Sequence, residues 1–154
     1  MTLPTRVRVT SDPAGIDLRL AHRWIAGSYW AAGIPWETFE RACAHSLCFA
    51  AMVGQEQVGF ARVVTDQATF AWLADVYVAE GARGRGVGAR LVAAVTDDPR
   101  LQGLRRFILA TADAHGLYER FGFQRVGDAN GRLMSITRSA TQVYGDAERA
   151  AQGS

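Results

Sequence analysis

A glycine- and arginine-rich segment constrains the fold of this chain more than any other feature. The segment Arg83–Gly88 follows a long apolar run, Ala68–Val78, which is typical of a β-strand. Apolar residues then recur at helical spacing over Val87–Thr96. The sequence therefore predicts a strand, a glycine-rich turn and a helix, in that order.

A strand-to-helix turn of this composition predicts an anion site. The N-terminus of a helix leaves backbone N–H groups unpaired and carries partial positive charge. Glycines allow a phosphate to approach those groups without a Cβ in the way. Arg83 and Arg85 add forked donors that suit phosphate oxygens. A pyrophosphate is the expected ligand, and the alternative is a glycine-rich turn flanked by solvated arginines.

Two common nucleotide sites do not fit this segment. Gly84, Gly86 and Ala89 match the spacing of a dinucleotide fingerprint, but the stretch about 20 residues further on, Arg105–Leu109, contains no acidic residue. A P-loop needs a lysine after its glycines, and all 17 basic residues of this chain are arginine. Nicotinamide, flavin and P-loop sites are therefore excluded.

The remaining patterns predict a mixed α/β fold with the order β-α-α-β-β-β-α-β-α-β-β. The other predicted strands are Thr5–Thr10, Leu47–Val53, Gln57–Thr65, Leu104–Thr111, Phe123–Val126 and Leu133–Arg138. The other predicted helices are Ile16–Ala26, Trp36–His45 and Asp113–Phe121, the last of them ended by a left-handed cap at Gly122. The apolar run Ala68–Val78 is expected to be buried on both faces.

Length and composition limit the kind of protein. A chain of 154 residues predicts one domain over residues 1–138, followed by a polar, loose tail over residues 139–154. A net charge of +2 gives no reason to expect a nucleic-acid partner. No apolar stretch approaches the roughly 20 residues that span a bilayer, and no signal-peptide core is present, so no membrane partner and a cytoplasmic location are expected.

The cysteines do not predict a metal site. Cys43 and Cys48 have no second cysteine pair and no closely spaced histidines to complete a zinc site. We expect a reduced, buried pair and no bound metal.

Three sequence blocks together resemble one enzyme superfamily. The glycine-rich segment reads as Arg-x-x-Gly-x-Gly over Arg83–Gly88. The block Leu73–Val78 ends five positions before it, and Leu117–Phe123 carries a tyrosine followed by Phe-Gly-Phe. In order and spacing these blocks resemble the GNAT superfamily of N-acetyltransferases, over about Leu47–Arg138.

The resemblance implies a mostly antiparallel sheet of about seven strands, flanked by about four helices, that binds acetyl-CoA. The pantetheine arm would lie in a V-shaped splay between the fourth and fifth strands. The glycine-rich turn would hold the pyrophosphate, and Thr111 takes the place of an asparagine that many family members use to bind pantetheine. The implied acetyl-CoA-binding residues are Val76, Tyr77, Val78, Arg83, Gly84, Arg85, Gly86, Val87, Gly88 and Thr111.

The resemblance also implies direct acetyl transfer to an amine, with Tyr118 as the general acid for the leaving thiolate. The resemblance does not identify the general base. Asp75 is a candidate because it lies in the fourth strand, and the equal alternative is a strand residue on a solvated face or in an ion pair with an arginine. Glu37 and His115 are further candidates, although for His115 a structural hydrogen bond is favoured.

The acceptor is predicted to be the primary amine of a small molecule. In this family the acceptor pocket lies beside the first two helices, where this chain has clustered aromatic residues. The predicted acceptor-binding residues are Tyr29, Trp30, Glu37 and Trp72. A protein or peptide acceptor, a non-catalytic acyl-CoA-binding module of the same fold, and a homodimer all remain open.

Overall fold

The computed structural model describes residues 6–127 and 131–144. Seven strands form one sheet: β1 (Val7–Thr10), β2 (Leu47–Val53), β3 (Glu56–Thr65), β4 (Phe70–Val78), β5 (Arg106–Ala110), β6 (Gln124–Arg125) and β7 (Leu133–Thr137). The α-helices are α1 (Leu18–Ala26), α2 (Trp36–Ala44), α3 (Val87–Asp97), α4 (His115–Glu119) and α5 (Ala140–Tyr144). Short 3₁₀ turns at Pro13–Gly15, Glu80–Ala82 and Pro99–Leu101 complete the described elements.

The sheet has the strand order β1-β2-β3-β4-β5-β7-β6. Every strand pairing that the structure describes is antiparallel except β4 with β5, which is parallel. A parallel pair needs a crossover connection, and α3 supplies it. The mixed, mostly antiparallel architecture agrees with the sequence prediction.

Helices cover both faces of the sheet. On one face, Leu91, Val92 and Val95 of α3 are buried against the strands, in the larger of two hydrophobic clusters. On the other face, α1 and α2 bury Ile25 and Phe39 against Phe60 of β3. The apolar stripes of the amphipathic helices decide which sides of α1, α2 and α3 face the sheet.

The strands β4 and β5 separate at the point where the resemblance implies a splay. Their parallel pairing runs from Phe70 opposite Arg106 to Leu73 opposite Leu109 and is not recorded beyond that point. The strand β4 continues to Val78, whereas β5 ends at Ala110. The last five residues of β4 therefore have no strand partner on the β5 side.

A β-bulge lies within this separated part of β4. Phe60 of β3 pairs with Tyr77, but Arg62 pairs with Ala74, so β4 has one extra residue between these two pairs. Asp75, within the bulge, has φ 54°, in the left-handed region that residues other than glycine rarely adopt. Bulges bend a strand and redirect its side chains.

The predicted element bounds agree with the structure to within about two residues for most elements, and Gly122 has the expected left-handed φ of 92°. The expected burial of residues 68–78 on both faces is wrong. Only Ala71 and Leu73 of β4 are buried, because α1 and α2 leave part of the sheet uncovered.

The C-terminal tail and the last turn are only partly described. The short helix α5 lies in the segment for which the sequence predicts a loose tail. The predicted turn over residues 128–131 lies outside the described residues except for Gly131. No helix in residues 6–127 or 131–144 is both long enough and apolar enough to cross a membrane.

Candidate active site

The glycine-rich segment turns through two glycines in the left-handed region. Gly84 has φ 80° and Gly86 has φ 79°, and a Cβ built on either residue would meet no atom within 4 Å. Glycine is the residue that adopts such a φ without steric cost. Because the space beside both glycines is open, the backbone of this turn is accessible to a ligand.

The turn ends at the N-terminus of α3, where backbone donors are unpaired. Gly86 is the N-cap residue, and no side chain caps the helix. The first hydrogen bond of the helix runs from Arg90 N–H to the Gly86 carbonyl, at 3.1 Å. The N–H groups of residues 87–89 therefore have no partner within the helix, as at any uncapped N-terminus. These donors and the helix dipole favour an anion at this position.

Arg83 connects the glycine-rich turn to the end of β4. Its Nε donates to the Val78 carbonyl at 3.0 Å. Its guanidinium carbon also lies 5.4 Å from the centre of the Tyr77 ring, and that ring stacks on Trp24 with 5.2 Å between centroids. Arg83 is thus anchored on the strand edge, next to the turn.

The free edge of β4 presents backbone donors to the space between β4 and β5. Ala79 N–H donates to the Val58 carbonyl on β3, at 2.8 Å. Because N–H directions alternate along a regular strand, the N–H group of Val78 points away from β3, towards β5. The strand β5 has already diverged there, so the β4–β5 sheet offers this donor no partner.

The backbone of Gly88 brings the three sequence blocks together. A Cβ built on Gly88 would lie 3.6 Å from Leu117 Cδ2 of α4 and 3.8 Å from Val78 Cγ2 of β4. The first turn of α3 is therefore in contact with both the strand edge and the helix that carries Tyr118. Val78 and Leu117, which are 39 positions apart in the sequence, thus lie against the same turn of α3 at one end of the splay.

Tyr118 is buried, and its hydroxyl is protonated. Its ring packs edge-on against Phe123, with centroids 6.0 Å apart, and only 7% of the residue is exposed. Burial, aided by the negative charge of Asp113, raises the pKa of Tyr118 to about 12. The Tyr118 hydroxyl makes no hydrogen bond to another residue in the described part of the chain, so its hydrogen is available to a ligand.

Thr111 fixes the entry to α4. Its Oγ1 accepts a hydrogen bond from Ala114 N–H at 3.0 Å, and its own N–H donates to the Arg132 carbonyl at 2.9 Å. At the other side of this helix, His115 Nε2 lies 2.8 Å from the Gly131 carbonyl. Both side chains hold α4 in place, and the Thr111 hydroxyl keeps a hydrogen that it can donate.

Both carboxylate oxygens of Asp75 have donors. Arg62 Nε donates to Oδ2 at 2.8 Å, and Trp30 Nε1 donates to Oδ1 at 2.9 Å. The Asp75 side chain is only 7% exposed and that of Arg62 17%. Of the two alternatives left open by the sequence, base or ion pair, this geometry corresponds to the ion pair.

The predicted acceptor residues are only partly brought together. Tyr29 and Trp30 pack edge-on, with centroids 5.2 Å apart, and their exposed fractions are 69% and 44%. Trp72 pairs with Val64 on the sheet face that α1 and α2 cover in part, but makes no described ring contact with either residue. Glu37 is exposed in the first turn of α2 and has no partner in the described part of the chain.

Sequence reasoning missed Arg62 and Trp24. Arg62 is a charged residue inside the apolar part of β3, between Val58 and Val64, which is itself a signal that a buried acid lies near it. Trp24 lies on the stripe of α1 that faces the sheet and stacks on Tyr77. No periodicity distinguishes that ring from any other core aromatic residue.

Comparison with known proteins agrees with this geometry. Residues 17–123 match the Acetyltransferase (GNAT) family. A GNAT-family protein from Xanthomonas campestris pv. campestris, known from a crystal structure, is 44% identical, with 92% of this chain and 98% of that chain covered and a TM-score of 0.76. This chain belongs to the GNAT acetyltransferase family. It is accordingly an acyltransferase.

More distant GNAT proteins share the fold. A GNAT acetyltransferase from Elizabethkingia anophelis, solved with acetyl-CoA bound, is 12% identical with a TM-score of 0.63 and covers 86% of this chain and 98% of that one. A curated relative from Gibberella zeae, provisionally named an acetyltransferase, is 29% identical over 71% of this chain and 74% of its own length.

Proposed function

We propose that this GNAT protein transfers an acetyl group from acetyl-CoA to the primary amine of a small molecule. The observation that carries the proposal is the continuity of donors along one path. The path begins at the unpaired edge of β4, passes the two left-handed glycines and ends at the uncapped N-terminus of α3. A pantetheine arm joined to a pyrophosphate has matching acceptors in the same order.

The residues fit acetyl-CoA in three parts. The N–H groups of Arg85, Gly86, Val87 and Gly88 bind the pyrophosphate, and the open space at Gly84 and Gly86 admits its oxygens. The N–H groups of Val76 and Val78 bind the pantetheine amides as an added strand would. Arg83 holds the Val78 carbonyl and packs over Tyr77, so the arm uses that carbonyl only after Arg83 moves. The Thr111 hydroxyl donates to the arm.

The reaction forms one C–N bond and breaks one C–S bond. The neutral amine attacks the thioester carbonyl, whose oxygen gains negative charge and accepts a hydrogen bond from a β4 N–H, that of Val76 or Val78. The coenzyme A thiolate then leaves and takes up a proton, while the nitrogen loses one. The proton balance requires one donor near sulfur and one acceptor near nitrogen.

Tyr118 is the proposed donor to sulfur. Its pKa of about 12 keeps the hydroxyl protonated at neutral pH, whereas an ordinary thiol has a pKa of about 8.5. Net transfer of the proton from the phenol to a free thiolate is uphill by about 5 kcal/mol. The hydroxyl therefore acts by donating a hydrogen bond to the sulfur as the C–S bond breaks, and any proton that it gives up is restored from solvent.

The nitrogen proton leaves through water or through Glu37. Asp75 already accepts hydrogen bonds from Arg62 and Trp30, so we do not assign it the nitrogen proton. Glu37 is the predicted acidic residue that is exposed and has no partner in the part of the chain that the structure describes. A water path needs no further residue.

The acceptor is proposed to have an aromatic or apolar body. The indole N–H of Trp30 is committed to Asp75, so this residue offers only its ring to a ligand. Tyr29 and Trp30 together offer an exposed aromatic surface comparable in size to one small molecule. The same exposure supports a second candidate acceptor, the amine of a peptide, because exposed rings do not limit the length of what they contact.

A screen of acceptors tests the proposal. The protein is incubated with acetyl-CoA and a panel of small primary amines and short peptides, and both free thiol and acetylated products are followed by mass spectrometry. We expect an aromatic or apolar small amine to give the highest kcat/KM. Acetylation of peptides alone would replace the small-molecule acceptor by a peptide, and acetyl-CoA binding without any transfer would favour a non-catalytic module.

A further inference from the structure

A chain of polar contacts runs from the end of α2 through β3 and β4 to the exposed Trp30. Ser46 Oγ donates to the Ala42 carbonyl at 2.7 Å and accepts from Arg62 Nη1 at 3.1 Å. Arg62 Nε donates to Asp75 Oδ2 at 2.8 Å, and Trp30 Nε1 donates to Asp75 Oδ1 at 2.9 Å. Every link joins different elements, so an exposed ring on the α1–α2 loop is tied to the interior of the sheet.

The backbone of Asp75 is held in an uncommon conformation. Among the described residues other than glycine, only Gln67 and Asp75 have a positive φ, and Gln67 lies in an exposed turn. A residue keeps such a conformation when its surroundings over-determine it. Here the β4 bulge and the Arg62 ion pair do so, and they aim the carboxylate at Trp30.

Asp75 also stands next to the backbone donors of the splay. Val76 follows Asp75 directly in the bulge, and Val78, two positions further on, has its N–H directed towards the gap between β4 and β5. The carboxylate that anchors Trp30 therefore lies within three residues of the donors proposed to face the thioester. The indole ring of Trp30 is therefore held at a defined position relative to the proposed thioester site, although Trp30 itself lies on a loop.

We propose that Asp75, held by Arg62, is a positioning residue that fixes Trp30 as the aromatic surface against which the acceptor packs. Trp30 is then a specificity-determining residue, and Asp75 transfers no proton. This inference rests on the proposed acetyl transfer and names the acceptor side of the same site. It accounts for an ion pair, a left-handed aspartate and an anchored but exposed indole, none of which acetyl-CoA binding requires.

Three variants test the individual contacts between Arg62, Asp75 and Trp30. Asp75→Asn removes the charge and Asp75→Gly removes the side chain, and both replacements tolerate a positive φ, so the bulge is retained. Trp30→Phe keeps a ring and removes the indole N–H. Arg100→Gln is the matched control, since it breaks the ion pair with Asp98 that lies elsewhere on the surface.

The first measurement needs no acceptor. The four tryptophans give four indole ¹H–¹⁵N signals in an NMR spectrum, and Trp30→Phe identifies the signal of Trp30. We expect Asp75→Gly to shift this signal and to speed its exchange with water at least several-fold, because the hydrogen bond that protects the proton is lost. Arg100→Gln leaves it unchanged. An unmoved Trp30 signal in Asp75→Gly would overturn the link between the two residues.

The second measurement uses acetyl-CoA with two probe amines, 2-phenylethylamine and ethylamine. Loss of a hydrogen bond to a charged group predicts a KM for 2-phenylethylamine raised roughly tenfold in Asp75→Gly and Asp75→Asn, with kcat within about threefold of the parent. The KM for ethylamine, which has no ring, stays the same. The acidic limb of the kcat profile against pH is retained in both Asp75 variants. In the double variant Asp75→Asn, Trp30→Phe, the KM for 2-phenylethylamine is no higher than in the more affected of the two single variants.

The outcomes distinguish this proposal from the proposed function. A fall in kcat of roughly 10²-fold or more in Asp75→Asn, with loss of the acidic limb, would make Asp75 a base and overturn the positioning role. Turnover in the parent with an unchanged KM in all three variants would overturn the positioning role alone. If the parent binds acetyl-CoA but acetylates neither amine, the proposal of an aromatic small-molecule acceptor is refuted, and so is the inference about Trp30.

Discussion

Removal of the Tyr118 hydroxyl tests the catalytic role of this residue without changing its packing. Tyr118→Phe retains the ring that packs on Phe123 and removes only the proposed donor to sulfur. We expect turnover to fall by roughly 10²–10⁴-fold, the usual contribution of general acid–base catalysis. Calorimetry should give an acetyl-CoA affinity close to that of the parent, because the interaction is made in the transition state. Full turnover with the chemical step rate-limiting would leave Tyr118 a packing residue.

The ionisation of Tyr118 is itself measurable. Burial disfavours the phenolate, so this residue keeps its proton to about pH 12, whereas an ordinary tyrosine loses it near pH 10. Absorbance at 295 nm should show one of the four tyrosines ionising last, and Tyr118→Phe should remove that step. The unfolded chain loses this proton first, so the free energy of unfolding falls as the pH rises from about 10 to about 12. A last step that persists in Tyr118→Phe would assign it to another tyrosine.

The two cysteines should differ in reactivity. The interaction between the two thiols raises the pKa of Cys43, and burial raises it further, whereas the same interaction lowers the pKa of Cys48 against the opposing effect of burial. Because the thiolate is the nucleophile, iodoacetamide at pH 8 should label Cys48 roughly tenfold faster than Cys43, as read by peptide mass spectrometry. In Cys43→Ala the labelling of Cys48 should slow, and faster labelling of Cys43 in the parent would contradict the assignment.

At the scale of elements, the junction between β4 and α3 carries the proposed pyrophosphate site. Gly86→Asp adds a carboxylate in the open space where the phosphate is proposed to lie, and forces a side chain onto φ 79°. Both effects weaken binding, and we expect the acetyl-CoA dissociation constant measured by calorimetry to rise at least roughly tenfold. Gly15→Asp, an exposed glycine in another turn, makes the same change of charge and should leave the affinity unaltered. Equal affinities for the two variants would refute the site.

At the scale of the whole molecule, α3 packs closely on the sheet at Gly59 of β3. A Cβ built there would lie 2.9 Å from Leu91 Cδ1 and 3.2 Å from both Val87 Cγ1 and the Cβ of Ala51. Gly59→Ala should therefore push α3 away from the sheet and lower the free energy of unfolding by about 1–3 kcal/mol, measured by urea denaturation. Gly116→Ala, where a Cβ would meet nothing, should be neutral or slightly stabilising. Equal stabilities for the two variants would mean that α3 and the sheet accommodate the added methyl group without cost.

The sequence by itself determined the elements and the glycine-rich turn. Helical and strand periodicities depend on neighbouring residues alone, so the bounds of β2 and the start of α3 could be predicted from local pattern. The turn at Arg83–Gly88 was predictable for the same reason, because glycine is the residue that tolerates the φ angles found there. The resemblance to the GNAT superfamily supplied the splay between the fourth and fifth strands.

Only the tertiary structure decided what the polar residues of the site do. Asp75 and Arg62 are 13 positions apart, and Trp30 is 45 positions from Asp75, so no local pattern joins the three. The sequence left Asp75 open between a base and an ion pair, and its partners were fixed by the register of β3 with β4 and by the bulge. The tertiary structure also decided how much of β4 is buried, because burial depends on which helices pack on the strand and not on the strand's own apolar sequence. Contacts between distant segments depend on packing in three dimensions, which a one-dimensional pattern does not contain.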